Sequence, residues 1–177
     1  MMALRIYLGH GASGDAASME PHIDGLRARG FEAFALDLPV RKAEEAIPAF
    51  ETQVPDAPDV VVGGHSFGGR VASLSAAAGR RRYRALVCFS YPLHRPGAPE
   101  TVAQRTTHWP AIACPTLLLS GESDPFARID LLRAALPTLP DGRLITYPRV
   151  GHGLLPVLDD ALDRVAAFLG GIPYYLR

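Results

Sequence analysis

Short apolar runs without polar alternation recur along the chain, separated by longer stretches in which apolar positions return every three or four residues. Unbroken apolar runs mark parallel strands buried on both faces, and the three-to-four repeat marks a helix with one face on a core. The pattern predicts strands over 4–9, 32–37, 59–63, 83–90, 116–120 and 143–147, and helices over 17–29, 42–53, 67–79, 126–135 and 155–169. Strands alternating with helices imply an α/β fold, a three-layer sandwich in which helices cover both faces of a doubly wound, six-stranded parallel sheet. Ligands in such sheets sit at the carboxyl ends of the strands. One stretch breaks the rhythm: residues 91–113 far exceed the roughly 2–6 residues of a usual strand-to-helix connection. It leaves a strand end, has room for a short helix over 101–108, and is expected to overhang the site.

The 177 residues, set against about 150 per domain, lead to the expectation of a single domain over 1–177 with one sizeable core. Hydrophobic residues at 48% and charged residues at 20% exclude a mainly disordered chain. Eighteen basic and eighteen acidic side chains cancel, so no global field gathers nucleic acid or an anionic membrane, and neither is expected as a partner. Cys88 and Cys114 lie in or beside apolar runs, where a thiol behaves as a small hydrophobe, and a disulfide is not expected. Without a signal-like start or a run of about 20 apolar residues, the expected location is cytoplasmic.

The most informative segment is Val60-Val61-Val62-Gly63-Gly64-His65-Ser66-Phe67-Gly68-Gly69, a β-branched run, a G-x-S-x-G pattern at Gly64, Ser66 and Gly68, and then a helix. A sharp strand-to-helix turn holds such a serine with its hydroxyl exposed, and the flanking glycines let neighbouring backbone pass where a Cβ would collide. A nucleophilic serine needs a base and an orienting acid, which follow in the chain order Ser, Asp or Glu, His. Asp124 comes just after the strand over 116–120 and His152 just after that over 143–147, so three parallel strand ends would bring Ser66, Asp124 and His152 to one sheet edge.

Through GHSFGG, SGESDPF and GHG the chain resembles the α/β-hydrolases over nearly its whole length. Within them, Gly9-His10-Gly11-Ala12-Ser13-Gly14, Tyr91-Pro92-Leu93-His94 and Arg105-Thr106-Thr107-His108-Trp109 resemble the small KANL3/Tex30-like group of dienelactone-hydrolase-related proteins. The resemblance implies Ser66 as nucleophile, His152 as general base and then acid, and Asp124 as the group that fixes the imidazole. It also implies an oxyanion hole of the Ala12 and Phe67 N–H groups, and a parallel sheet in order 2-1-3-4-5-6 that lacks the family's first two strands. Only 91–113 stands where the family carries a helical cap, so the site is expected to be open and shallow and to favour small or extended, accessible acyl substrates over long buried lipid chains. Dienelactone hydrolases use cysteine where this chain has Ser66, which argues against their substrate.

Several residues have plainer readings beside the functional ones. His10 and His65 fall inside turn motifs and are expected to bond backbone, Asp37 precedes the serine and suits a turn, and Glu122 is the rival acid to Asp124. Tyr91, His94 and Arg105 are candidates for substrate contact; His94, Arg105 and His108, in the long connection, belong either to a solvated loop or to a contact with a polar or anionic substrate group. Arg80, Arg81, Arg82 and Arg84 suit the C-terminus of the preceding helix. No metal-ligand spacing or nucleotide-binding glycine motif occurs, so no metal or cofactor is expected. Two functions remain open: a serine hydrolase acting on a small ester or thioester, and a hydrolase-like interaction module whose triad is idle.

Overall fold

The computed structural model describes residues 4–173. Among them, β1 (Arg5–Gly9), β2 (Glu32–Leu36), β3 (Val60–His65), β4 (Ala85–Phe89), β5 (Thr116–Gly121) and β6 (Gly142–Tyr147) form an all-parallel sheet in the order β2-β1-β3-β4-β5-β6. This is the expected order. Side chains alternate between the two faces of a strand, which divides the core in two. Ile6, Leu8, Val61, Val87, Phe89, Leu117 and Leu119 pack with α1 (Glu20–Ala28) and α6 (Leu158–Gly170). Tyr7, Val60, Val62, Leu86, Cys88 and Leu118 pack with α2 (Ala43–Gln53), α3 (Phe67–Ala78) and α5 (Ile129–Ala135).

The helices begin later than periodicity alone suggests, for local reasons. Residues 16–19 form a 3₁₀ turn because Asp15 accepts the Ser18 N–H at 3.1 Å, and α1 then starts with Pro21 in its first turn, where a missing N–H costs nothing. α5 starts at Ile129 and not at Phe126, because the N–H groups of Phe126 and Ala127 turn back to the side chain and carbonyl of Asp124. α3 ends where periodicity predicts, with Gly79 at φ 67° as its left-handed stop.

The long connection is ordered. It contains a 3₁₀ turn over Pro99–Thr101, the short helix α4 (Val102–Thr106) and a second 3₁₀ turn over Trp109–Ala111. Leu93, Trp109 and Ile112 anchor it by full burial against α3 and the sheet, each contributing on the order of 2 kcal/mol. Because β1 lies between β2 and β3, the loops leaving β1 and β3 diverge and open a crevice at their carboxyl ends. No helix among the described residues is long and apolar enough to cross a membrane. Cys88 and Cys114 are free thiols.

Candidate active site

Ser66 sits at that crevice, in the turn between β3 and α3, with φ 49° and ψ −110°. A non-glycine residue held there stores on the order of 1–3 kcal/mol of strain. Two glycines make the turn feasible. A Cβ at Gly64, itself at φ 156°, would lie 2.3 Å from the Gly9 carbonyl oxygen, and one at Gly68 would lie 2.2 Å from that same atom. The turn therefore presses directly on the end of β1 and is locked by two hydrogen bonds. The Ser66 N–H donates to the Phe89 carbonyl at 2.9 Å, and the Gly68 N–H donates to the His10 carbonyl at 2.9 Å.

Asp124 leaves β5 into a tight turn and is 3% exposed. Its Oδ1 accepts the Phe126 N–H at 2.8 Å, which aims Oδ2 at His152 Nδ1, also 2.8 Å away. An ionised carboxylate only accepts, so Nδ1 carries the imidazole proton and Nε2 is left to accept. The Ser66 hydroxyl stands 2.8 Å from Nε2. Three segments far apart in sequence thus meet in one chain of hydrogen bonds.

Two neighbours that periodicity does not reveal hold His152 in place. His65, on the residue before the serine, donates Nε2–H to the His152 carbonyl at 3.2 Å. Burial lowers the pKa of His65, against the opposing effect of the hydrogen bond to the His152 carbonyl. The Phe126 ring lies 4.4 Å from the His152 ring centre and shields one side of it from water. The His152 side chain keeps 22% of its surface exposed, so the imidazole edge remains reachable.

A cavity of about 420 Å³ opens beside the serine, and Ala12, Ser66, Phe67 and Phe126 share its wall. Among the described residues, no turn or loop hydrogen bond to backbone engages the N–H of Ala12 or Phe67, unlike those of Ser66 and Gly68. Phe67 begins α3, where amide groups lack an intrahelical acceptor and the helix dipole favours negative charge.

The candidate contact residues separate. Arg105, half-buried on α4, lines the cavity. Tyr91 and His94 do not line it, which corrects the expectation of substrate contact for both. Tyr91 is 1% exposed and donates its hydroxyl to the Arg105 carbonyl at 2.6 Å; burial pushes its pKa up to about 12. His94 is 2% exposed, donates Nδ1–H to the Arg95 carbonyl at 2.8 Å and accepts the Arg128 N–H on Nε2 at 3.0 Å. Both brace the 91–113 connection from inside. His108 turns to Ser73 on α3, 2.8 Å away, and burial lowers its pKa to about 4.

Glu122 faces Thr146 and Arg133 at 2.7 and 3.2 Å, while Asp124 occupies the position beside the imidazole. Asp37 is an exposed residue after β2, its backbone bonded to Gln53. Of the basic residues around the cavity, Arg105 is a candidate from the sequence, and Arg41, Lys42, Arg70 and Arg95 are not. Arg70 had a readable signal, four residues after Ser66 on α3 and so on the same helix face.

Solved structures share this architecture. A monoacylglycerol lipase from Paleococcus ferrophilus superposes with a TM-score of 0.78 at 15% identity, covering 96% of this chain and 95% of that one. Est1E from Butyrivibrio proteoclasticus, solved with ferulic acid bound, gives 0.75 at 18%, covering 97% and 89%. A serine hydrolase involved in carbazole degradation gives 0.75 at 15%, covering 95% and 91%. At these identities the likeness establishes the fold. Comparison with curated proteins returns no match. The sequence description of the alpha/beta hydrolase domain matches residues 35–158, well over half of the chain and including Ser66, Asp124 and His152, and the chain belongs to the α/β-hydrolase family.

Proposed function

We propose that the protein is a serine hydrolase that cleaves a small ester or thioester through an acyl-enzyme. The observation that carries this reading is the continuous relay from Asp124 through His152 to a serine held at positive φ. His152 Nε2 takes the Ser66 proton as Oγ bonds to the substrate carbonyl carbon. The carbonyl oxygen becomes an oxyanion, and the N–H groups of Ala12 and Phe67, both residues of the cavity wall, receive it. Collapse breaks the bond to the leaving group, which takes the proton from Nε2. Water then repeats the sequence, releasing the acid and restoring Ser66. Asp124 stays ionised throughout and stabilises the imidazolium.

The volume of the cavity, about 420 Å³, suits a small acyl substrate and not a long lipid chain. The neighbours named as lipase and hydrolase agree with the reaction class. Kinship with the KANL3/Tex30-like group and a cytoplasmic location belong to the same proposal.

The test is turnover of short p-nitrophenyl esters by the wild-type protein and by Ser66→Ala. The expected result is turnover by the wild type and a loss of about 10⁴-fold or more in the variant. Equal rates would remove Ser66 from the mechanism. A wild type that turns over no ester while retaining a stoichiometric protein partner would establish the idle-triad interaction module instead.

A further inference from the structure

The chain as a whole is neutral, yet the wall of the cavity beside Ser66 is not. Five cations line it, Arg41, Lys42, Arg70, Arg95 and Arg105, against one acid, Glu44. Glu44 is already paired with Arg70 at 2.6 Å. Among the described residues, Arg41, Lys42, Arg95 and Arg105 form no ion pair with a carboxylate.

These cations come from three separate segments: the loop between β2 and α2, the first turns of α3, and the 91–113 connection, where Arg95 precedes α4 and Arg105 lies on it. Arg5 and Arg29, away from the cavity, are each held by carboxylates. Arg5 is bidentate to Asp59 at 2.6 and 2.9 Å, and Arg29 bonds Asp159 and Asp163 at 2.6 and 2.8 Å.

We infer that the cavity is a subsite for an anionic oxyacid group, a carboxylate or a phosphate, carried by the substrate whose acyl bond Ser66 attacks. The inference rests on the hydrolase reading for the position of the scissile bond but not for the binding of the anion.

Arg105 is the central residue of the subsite. It is half-buried, and its guanidinium makes one long contact, Nη1 to the Pro92 carbonyl at 3.5 Å. Burial and the like charges of Arg70 and Arg95 lower its pKa, with Glu44 opposing them from a distance, so the free site holds a partly desolvated cation that no carboxylate contacts directly. A guanidinium in that state matches the planar, two-point acceptor geometry of carboxylate and phosphate. α2 adds to the same field, since its N-terminal residues Ala43 and Glu44 also line the cavity and no side chain caps that end. A neutral ester would leave these charges unmatched.

The experiment uses the wild-type protein with ligands it cannot hydrolyse: glutarate for a carboxylate, methyl phosphate for a phosphate and glutaramide as the neutral control. Titration calorimetry at about 20 mM salt is expected to give at least one anion about tenfold tighter binding than glutaramide, with the preference falling severalfold in about 0.5 M KCl. Which anion binds more tightly identifies the source. Arg105→Gln is expected to remove most of the preference, and Arg41→Gln, on an exposed residue, covers the case in which the first variant is unstable. In turnover, p-nitrophenyl hemiglutarate should exceed its methyl ester by about tenfold in kcat/KM, a ratio that Arg105→Gln brings towards one. Equal or undetectable binding of all three ligands, or a preference untouched by salt and by both variants, overturns the subsite. Anion binding without turnover of any ester keeps the subsite and overturns the hydrolase reading.

Discussion

His10 and His94 can be set against His152, because all three rings carry their proton on Nδ1 and yet do different work. In the first two, Nδ1–H donates to the carbonyl of the following residue and Nε2 accepts a backbone N–H from a distant loop, Leu38 for His10 and Arg128 for His94, each at 3.0 Å. Their side chains are buried and serve as pins between loops. Protonating Nε2 there would break a buried hydrogen bond and leave an amide unsatisfied. In His152 the acceptor of Nδ1–H is a carboxylate, and the group facing Nε2 is a hydroxyl that can itself give up its proton. The tautomer is shared, and the partners at the two nitrogens decide whether the ring is a pin or a base.

The strongest way to break this contrast is to remove the base. His152→Ala is expected to lower ester turnover by about 10⁴-fold or more with the fold retained, checked by kinetics beside circular dichroism. Asp124→Asn should cost about 10³–10⁴-fold, because an amide no longer fixes the Nδ1–H tautomer. Near-normal turnover would place the base elsewhere in the case of His152→Ala, and the orienting acid elsewhere in the case of Asp124→Asn. The pins should respond in the other currency, stability. His10→Ala and His94→Ala each strand a buried amide and open a cavity, so denaturant unfolding should show losses of about 2–4 kcal/mol, with kcat reduced far less than in His152→Ala.

His22 sharpens the comparison as a third kind of histidine. It is buried edge-on against Phe89, its Nδ1 has no hydrogen-bond partner among the described residues, and burial lowers its pKa to about 4. Its folded pKa lies below the unfolded value of about 6.5, so the unfolded chain binds the extra proton between those two values. The stability this imparts is present above about pH 6.5 and is lost as pH falls towards 4, by on the order of 3 kcal/mol. His22→Leu should flatten that acid limb in a series of melting curves from pH 7 to pH 4, and an unchanged slope would assign it to other groups. The smallest effect is expected at Glu122→Gln: within about twofold in kcat/KM, since that carboxylate serves Thr146 and Arg133 and not the imidazole.

The strands were legible because buried parallel strands such as Val60–His65 and Thr116–Gly121 are unbroken apolar runs, and their order came with the resemblance to the α/β-hydrolases. The approach of Ser66, Asp124 and His152 was legible for the same reason, each residue following a strand. Helix starts were less so, because the turns at Asp15 and Asp124 compete with helical hydrogen bonds. Tyr91 and His94 could not be placed from sequence at all. A polar side chain in a long connection bears no periodic mark of whether it faces a cavity or its own backbone, and here tertiary packing turned both inward. Beyond Arg105 the cationic wall was not legible, because its members are spread over three segments of a chain whose total charge is zero.

The central claim is that the His152 imidazole makes the Ser66 hydroxyl nucleophilic. Intact-protein and peptide mass spectrometry after exposure to a fluorophosphonate probe tests it most directly. One covalent adduct, mapped to Ser66 and lost or strongly slowed in His152→Ala, is the outcome this account predicts. An unlabelled wild type, or labelling at Ser66 that proceeds equally fast without His152, would contradict it.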